Sequence, residues 1–343
     1  MTALTVPARP VEDTGPRPVL WRRMAWVTWR QHRTALAGVA ALLGALAVGL
    51  WLIGLRLHHA YAAAAACHPA ASAICYDMFS SFNTMDGFLA TGVILQILPA
   101  LIGAFAGAPV LAREMETGTF RYVWTQGFGR WRWALAKLVL LAVALPAAVG
   151  LFTLLTSWYY EPYFAAGNPT PQTPFSPGLF GLGGPAFAAW TLAAFAIGAL
   201  AGMLTRRVVP AIAATLAAYA GLAVATGLYL RQHYLTPLLT SNPNLPGSAW
   251  VISQQWQTKS GQPVSQSVLG QVLQGAPQLA GKGGVPNSPN VTQYLIQHGY
   301  TQWTSYQPGS RFWPFQWIES GWLLALSVLL IAATVWLVRR RAA

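Results

Sequence analysis

Charge is what this chain has least of. Asp, Glu, Lys and Arg make up 8% of its 343 residues and only 8 residues are acidic, where a soluble domain carries about 25% charged residues. That shortage excludes several mechanisms. Proton relays and sodium sites need titratable groups or markedly broken helices inside the membrane. No Asp, Glu, Lys or Arg falls at mid-depth of any expected span, and Gln96 is the most polar deep residue of the second. An autonomous ion-coupled carrier is therefore disfavoured. A nucleotide site is missing too: Gly275 to Lys282 has one residue too many between its glycines for a phosphate loop, and no Ser or Thr follows the lysine. There is no H-E-x-x-H and no pair of membrane aspartates for proteolysis, and Asp77, Asp86, Glu161 and Glu319 are too scattered to suggest a lipid-modifying enzyme. Cysteine is also scarce. The two, Cys67 and Cys75, lie near His58, His59 and His68 without C-x-x-C or H-x-x-x-H spacing, so no metal centre is expected.

What the chain has in quantity is apolar length, with 55% hydrophobic residues. Crossing ~30 Å of hydrocarbon takes roughly 20 helical residues. Runs of that kind lie near Leu36 to Leu57, Phe88 to Ala112, Ala134 to Trp158, Gly184 to Leu204, Val208 to Leu230 and Phe315 to Val338. The expected fold is an all-α polytopic membrane protein with six transmembrane helices. Most of the 21 Lys and Arg residues then fall on one side, before span 1, after spans 2 and 4, and in the tail Arg339, Arg340 and Arg341. Positive loops stay in the cytoplasm, so both termini are expected there. The same edge placement argues against nucleic-acid binding, which would show as a soluble basic stripe.

Residues 1–18 are Pro-rich without an apolar period and read as a disordered cytoplasmic tail. Over 19–35, Arg22, Arg23, Arg30 and Arg33 share one quadrant of a helix while Leu20, Met24 and Val27 lie opposite. With Trp26 and Trp29, this predicts an amphipathic helix in the cytoplasmic interface, in contact with membrane lipids. The alternative is a plain cytoplasmic extension of span 1. On the outer side, Cys67 and Cys75 are expected to form a disulfide, since oxidation is favoured in that compartment. The region 231–314, rich in Gln, Ser, Asn, Pro and Gly, reads as a large extracellular cap between spans 5 and 6. It holds two amphipathic pieces, Val264 to Leu273 and Val291 to His298. Aromatic residues from Trp303 to Trp317 predict an anchoring belt where the chain returns to the membrane, followed by span 6 and a basic tail over 315–343. Two GxxxG spacings, Gly103 with Gly107 and Gly198 with Gly202, read as helix packing. Spans 1 to 5 thus occupy 36–230, with one conspicuous loop.

That loop, 113–137, gathers five basic and two acidic side chains between spans 2 and 3. Gly118 can end the cytoplasmic end of span 2, Thr119 can cap a short helix, and Gly127 with Gly129 can end that helix before span 3. Phe120, Tyr122, Val123 and Trp124 would then be free to fill a groove. Glu114, Glu116, Gly118, Thr119, Thr125, Arg130 and Lys137 stand in a register that resembles the first cytoplasmic loop of the ABC-2 family of export permeases, the membrane subunits of type V ABC transporters. Gln126 replaces the usual Pro. That departure, and the segment Tyr306 to Trp313, look more like the actinobacterial branch. The resemblance implies that this element is a coupling helix docking on a cytoplasmic ABC ATPase. Arg113, Glu114, Glu116, Gly118, Thr119, Phe120, Tyr122, Trp124, Thr125, Arg130 and Lys137 would form or hold it, with Glu114 and Glu116 pairing with basic groups of the partner or of the interfacial helix, and Arg130 and Lys137 at the headgroups. It further implies ATP and Mg in the partner and none in this chain, a second permease copy or homologue, no enzyme activity here, and a bacterial plasma membrane. Export of a hydrophobic or amphiphilic substrate, such as an antibiotic or lipid, is the expected function. A sensing module that uses the same coupling without net transport is the alternative.

Overall fold

The computed structural model describes residues 21–68, 72–75, 77–78, 88–118, 130–165, 173–243, 245–275 and 289–341. Six helical segments within it are long and apolar enough to cross a membrane: Trp26–Ala65, Thr91–Thr117, Trp131–Ala165, Ala186–Thr205, Val208–His233 and Gly309–Arg340. Each overlaps one of the six runs expected from the sequence.

Helix α1 (Trp21–Ala65) has 45 residues, about 68 Å at 1.5 Å per residue. From Trp21 onward, the segment expected as an amphipathic helix over 19–35 continues into span 1 without a break. No proline interrupts Trp21 to Ala65, and its Ala, Leu and Arg content favours one long helix over two. Leu43, Leu50, Leu57 and Ala64 are buried at seven-residue spacing, the seam that lets two helices pack side by side. The three leucines share a core with Leu138, Leu141, Leu145 and Phe152 of α5 (Arg130–Ala165).

Span 2 is segmented into α2 (Phe88–Gln96), α3 (Leu98–Ile102), a π turn (Gly103–Gly107) and α4 (Pro109–Thr117). Pro99 and Pro109 supply no N–H to an α ladder. The wider register carries the chain between them, with Ala108 N–H donating to Gly103 O five residues back at 2.9 Å. The π turn lies against α6 (Ala186–Thr205), and the two GxxxG pairs meet there. A Cβ on Gly198 would sit 2.4 Å from Gly103 O, and one on Gly202 2.4 Å from Ala108 O. Both spacings are packing within one chain. Helix α5, by contrast, runs through Pro146 and Pro162.

Between α5 and α6, Thr173 to Gly184 folds back as a turn that buries Phe175, Phe180 and Leu182. At the other end Arg206 takes a left-handed conformation, φ 57°, to make the tight link from α6 to α7 (Val208–Ala225). A second π turn, Thr226–Leu230, and a 3-10 turn, Arg231–His233, finish span 5.

The region beyond corrects the all-α expectation. Strands β1 (Leu238–Thr240), β2 (Trp250–Thr258) and β3 (Tyr300–Gln307) form an antiparallel sheet in the order β1-β3-β2. Aromatic and β-branched residues in β2 and β3 suit a half-buried pleated surface. Trp256 of β2 packs on Leu269 of α8 (Gln266–Gln274) and on Val291 and Leu295 of α9 (Pro289–Gln297), a core separate from that of the spans. These two helices coincide with the amphipathic pieces read from the sequence. The last helix, α10 (Phe312–Arg341), packs most extensively on α6.

Candidate functional site

Among the described residues, ionic chemistry concentrates at two places, one at each end of the bundle. At the basic end, Lys137 lies two turns into α5 and its side chain is 1% exposed. Its Nζ donates to Glu114 Oε1 of α4 and sits 4.4 Å from the centre of the Trp133 ring. Trp133 is one turn earlier on the same face of α5, the spacing at which helical side chains meet. An ammonium out of water needs both the carboxylate and the ring's negative face. His32 of α1 is half-buried beside this pair. Its Nε2 and Glu114 Oε2 have no hydrogen-bond partner among the described residues.

Glu116, two residues further along α4, points elsewhere. Its Oε2 accepts the backbone N–H of Val208 at 3.1 Å, the first residue of α7. A carboxylate there satisfies one of the donors that a helix start leaves open and faces the positive end of the helix dipole. Thr117 Oγ1 closes the last turn of α4 by donating to Arg113 O at 2.9 Å. Gly118 then ends the helix at φ 71°, a conformation glycine adopts without the Cβ penalty. The end of span 2 is thus pinned to the starts of spans 3 and 5, beside the connection that leaves at Gly118. Separating a buried ion pair costs several kcal/mol, so a displacement of α4 is carried into α5.

The sequence-derived residues divide accordingly. Glu114 and Lys137 are brought together, Glu116 reaches α7, Gly118 terminates α4, and Arg113 is exposed. Thr119, Phe120, Tyr122, Trp124 and Thr125 lie outside the described residues, as do residues 1–18 and the side chains of Arg22, Arg23 and Arg130. Trp26, Trp29, Arg30 and Arg33 are exposed on α1, with the Arg30 guanidinium 5.5 Å from the Trp26 ring. Cys67 and Cys75 are joined, with a Cα–Cα distance of 5.6 Å. Near them, His58 stacks on Trp158 at 4.5 Å and its Nε2 lies 3.0 Å from Trp158 O.

The second ionic centre was missed by sequence reasoning. Glu319, seven residues into α10, is fully buried, and Arg231 at the end of span 5 is 5% exposed. Arg231 Nε donates to Glu319 Oε2 at 3.0 Å and its Nη2 to Oε1 at 2.9 Å. Trp190 Nε1 of α6 donates to Oε1 at 2.8 Å and Tyr234 OH to Oε2 at 3.2 Å. Trp322 Nε1 in turn donates to Tyr234 OH at 2.9 Å. Burial first, and the Glu319 charge second, push the Tyr234 phenol up, so it stays a donor. The Arg231 guanidinium also lies 4.0 Å above the Phe180 ring. Beside it, Gln316 joins α10 to the turn and to α6, accepting from Ala186 N–H and donating to Phe180 O. The aromatic belt divides around this network: Trp313 and Trp317 face outward, while Phe315 is buried among Phe175, Trp250 and Tyr234. The available signal was a single acid just inside the start of the expected sixth span, because a buried carboxylate requires a partner.

A family model described as ABC-2 membrane transporter related matches residues 40–231, more than half the chain and the stretch that holds Glu114, Glu116 and Lys137. No curated protein and no solved structure matches.

Proposed function

We propose a role in ATP-driven export for this chain, which belongs to the ABC-2 membrane transporter related family. Membership and six membrane-spanning helices make it a multi-pass membrane subunit of a transporter. The proposal adds that separate cytoplasmic ATPase subunits drive it, that it belongs to the type V permeases of the actinobacterial branch, and that it works as a pair of permease copies in a bacterial plasma membrane with both termini cytoplasmic. The cargo is hydrophobic or amphiphilic. The linkage at the basic end carries the reading: Glu114 with Lys137, and Glu116 with Val208 N–H, join three spans around the loop that the ATPase would engage. A push on that loop during the ATP cycle would move α4, and the two carboxylates would pass the movement to α5 and α7. Walls of Ala, Leu, Phe and Trp suit an apolar cargo.

The test is ATP-dependent accumulation of an amphiphilic dye in inverted vesicles containing the chain and its ATPase. Gly118→Pro, which forbids the φ of 71°, should abolish accumulation while leaving membrane insertion intact. Full accumulation by that variant would contradict the coupling role.

A further inference from the structure

A groove between the start of span 3 and the end of span 6 has two unlike ends. Leu135 and Val139 of α5 face Val328, Ile331, Trp336 and Arg339 of α10 across a cavity of about 450 Å³. The α10 residues recur at helical spacing, so one face of that helix forms a continuous wall. Ile331 rests on the main core that holds Leu138 and Leu141, while the rim is open: Val139 is 49% exposed and Val328 58%.

The end of the groove nearest Lys137 is cationic. Arg339 lines it, and the Arg340 guanidinium lies 4.4 Å from the centre of the Trp336 ring in the wall. Arg132 stands one turn before Leu135, on the same face of α5 as Leu135 and Val139. None of these three arginines forms an ion pair among the described residues. The described acids of this end are already engaged, Glu114 by Lys137 and Glu116 by Val208 N–H.

We propose that this groove binds one anionic phospholipid, its phosphate at Arg339 and Arg340 and one acyl chain along the apolar wall. The site does not depend on the transport reading; it needs only that spans 3 and 6 cross the bilayer. Dimensions and charge set the occupant. From Val328 to Arg339 the wall runs about 17 Å at ~1.5 Å per residue, close to the depth of one leaflet in a hydrocarbon core of ~30 Å. The span ends at Arg340, so the arginines stand where headgroups begin and the apolar wall where chains lie. Guanidinium forks match phosphate oxygens in bidentate geometry, and basic pockets between spanning helices receive anionic headgroups. A zwitterionic lipid offers the same phosphate but brings its own cation to arginines that no carboxylate offsets. A second copy of the chain fits worse: two copies inserted the same way and meeting here about a twofold axis would set these arginines against their own equivalents, and like charges across an interface are disfavoured. A lipid seated in the groove bridges the start of span 3 and the end of span 6.

The full chain in phosphatidylcholine nanodiscs, with no ATPase present, is irradiated with a trace of phosphatidylglycerol carrying a diazirine in one acyl chain, and separately with phosphatidylcholine carrying the same chain. The expected result is labelling of the peptides containing Val139 and Val328, stronger for phosphatidylglycerol by at least about fivefold, the factor of one arginine near an anionic headgroup. Arg339→Gln with Arg340→Gln should make the two lipids equal at an unchanged unfolding temperature. Ala332→Phe, which fills the groove from its wall, should lower the phosphatidylglycerol signal by at least about fivefold; it is the second variant should the arginine variant misinsert. Excess glycerol phosphate should leave the labelling in place, because the chain is held as well as the phosphate. Equal labelling of the wild type by the two lipids, no labelling of those peptides, competition by glycerol phosphate, or a preference that survives both variants would overturn the proposal. So would a Val328→Cys chain that oxidises to a disulfide-linked dimer in native membranes, since a second copy would then cover the groove.

Discussion

Replacing Glu114 with Gln keeps the side chain's size and removes its charge. Lys137, 1% exposed, would then hold an ammonium with no counter-charge. Removing one partner of a buried ion pair costs about 3–5 kcal/mol. Glu114 is itself 20% exposed and the Trp133 face remains in place, so the lower end, about 3 kcal/mol, is expected. That corresponds to roughly a hundredfold change in the folded-to-unfolded ratio. The pair is separable from its packing by a double-mutant cycle. Glu114→Leu with Lys137→Met replaces both charges by apolar groups, and such swaps are often neutral or stabilising by about 1–4 kcal/mol. The assay is equilibrium unfolding in mixed micelles titrated with a denaturing detergent, across wild type, both single variants and the double variant. Singles well below wild type, with the double variant at or above it, would establish a buried pair. A loss under about 1 kcal/mol for Glu114→Gln, the range of exposed ion pairs, would refute the reasoning.

Glu319→Gln should be at least as damaging, because it leaves Arg231 uncompensated and turns an amide N–H toward donors. A loss of about 3 kcal/mol or more with altered tryptophan fluorescence from Trp190 and Trp322 is expected in the same unfolding assay. Two glycines predict opposite signs. Gly198→Ala would place a Cβ 2.4 Å from Gly103 O and should lower the unfolding temperature. Gly221→Ala has nothing within 4 Å and should gain up to about 1 kcal/mol from helix propensity. Cysteine labelling in intact cells should find Cys67 and Cys75 unreactive until reductant is added, and the double Ser variant should lose about 2.5 kcal/mol by loop-closure entropy over their separation of 8 residues.

The helical spans were legible because apolar length is a property of consecutive residues. The GxxxG pairs were legible as packing for the same reason, their small residues lying four apart on one face. The Arg231–Glu319 pair was not, since its partners are 88 residues apart and each, taken alone, reads as a charge at a span boundary. The sheet was hidden in composition: Gln and Ser in β2 and β3 blur the alternation that marks a strand, and pairing between residues near 250 and 300 has no local signature. That the 19–35 segment runs on into span 1 was not legible for a different reason. Amphipathicity shows which face is polar, but only a helix stopper ends a helix, and none stands there. At the candidate site, the charged island marked Glu114 and Lys137, but by resemblance it gave Glu114 to basic groups of the partner or of the 19–35 helix and Lys137 to the headgroups, where the structure pairs the two with each other. It did not reveal that Glu116 reaches α7, because a backbone N–H has no identity in sequence.

The central claim is that energy enters this chain from a separate ATPase through the basic end. Its most direct test is purification of the tagged chain from native membranes in mild detergent, followed by identification of co-purifying subunits and assay of ATP hydrolysis. The account predicts a stoichiometric subunit bearing a phosphate-binding loop, with hydrolysis that purifies with the complex, and loss of both on Gly118→Pro. A folded, stable assembly with no nucleotide-hydrolysing subunit and no ATPase activity would contradict it.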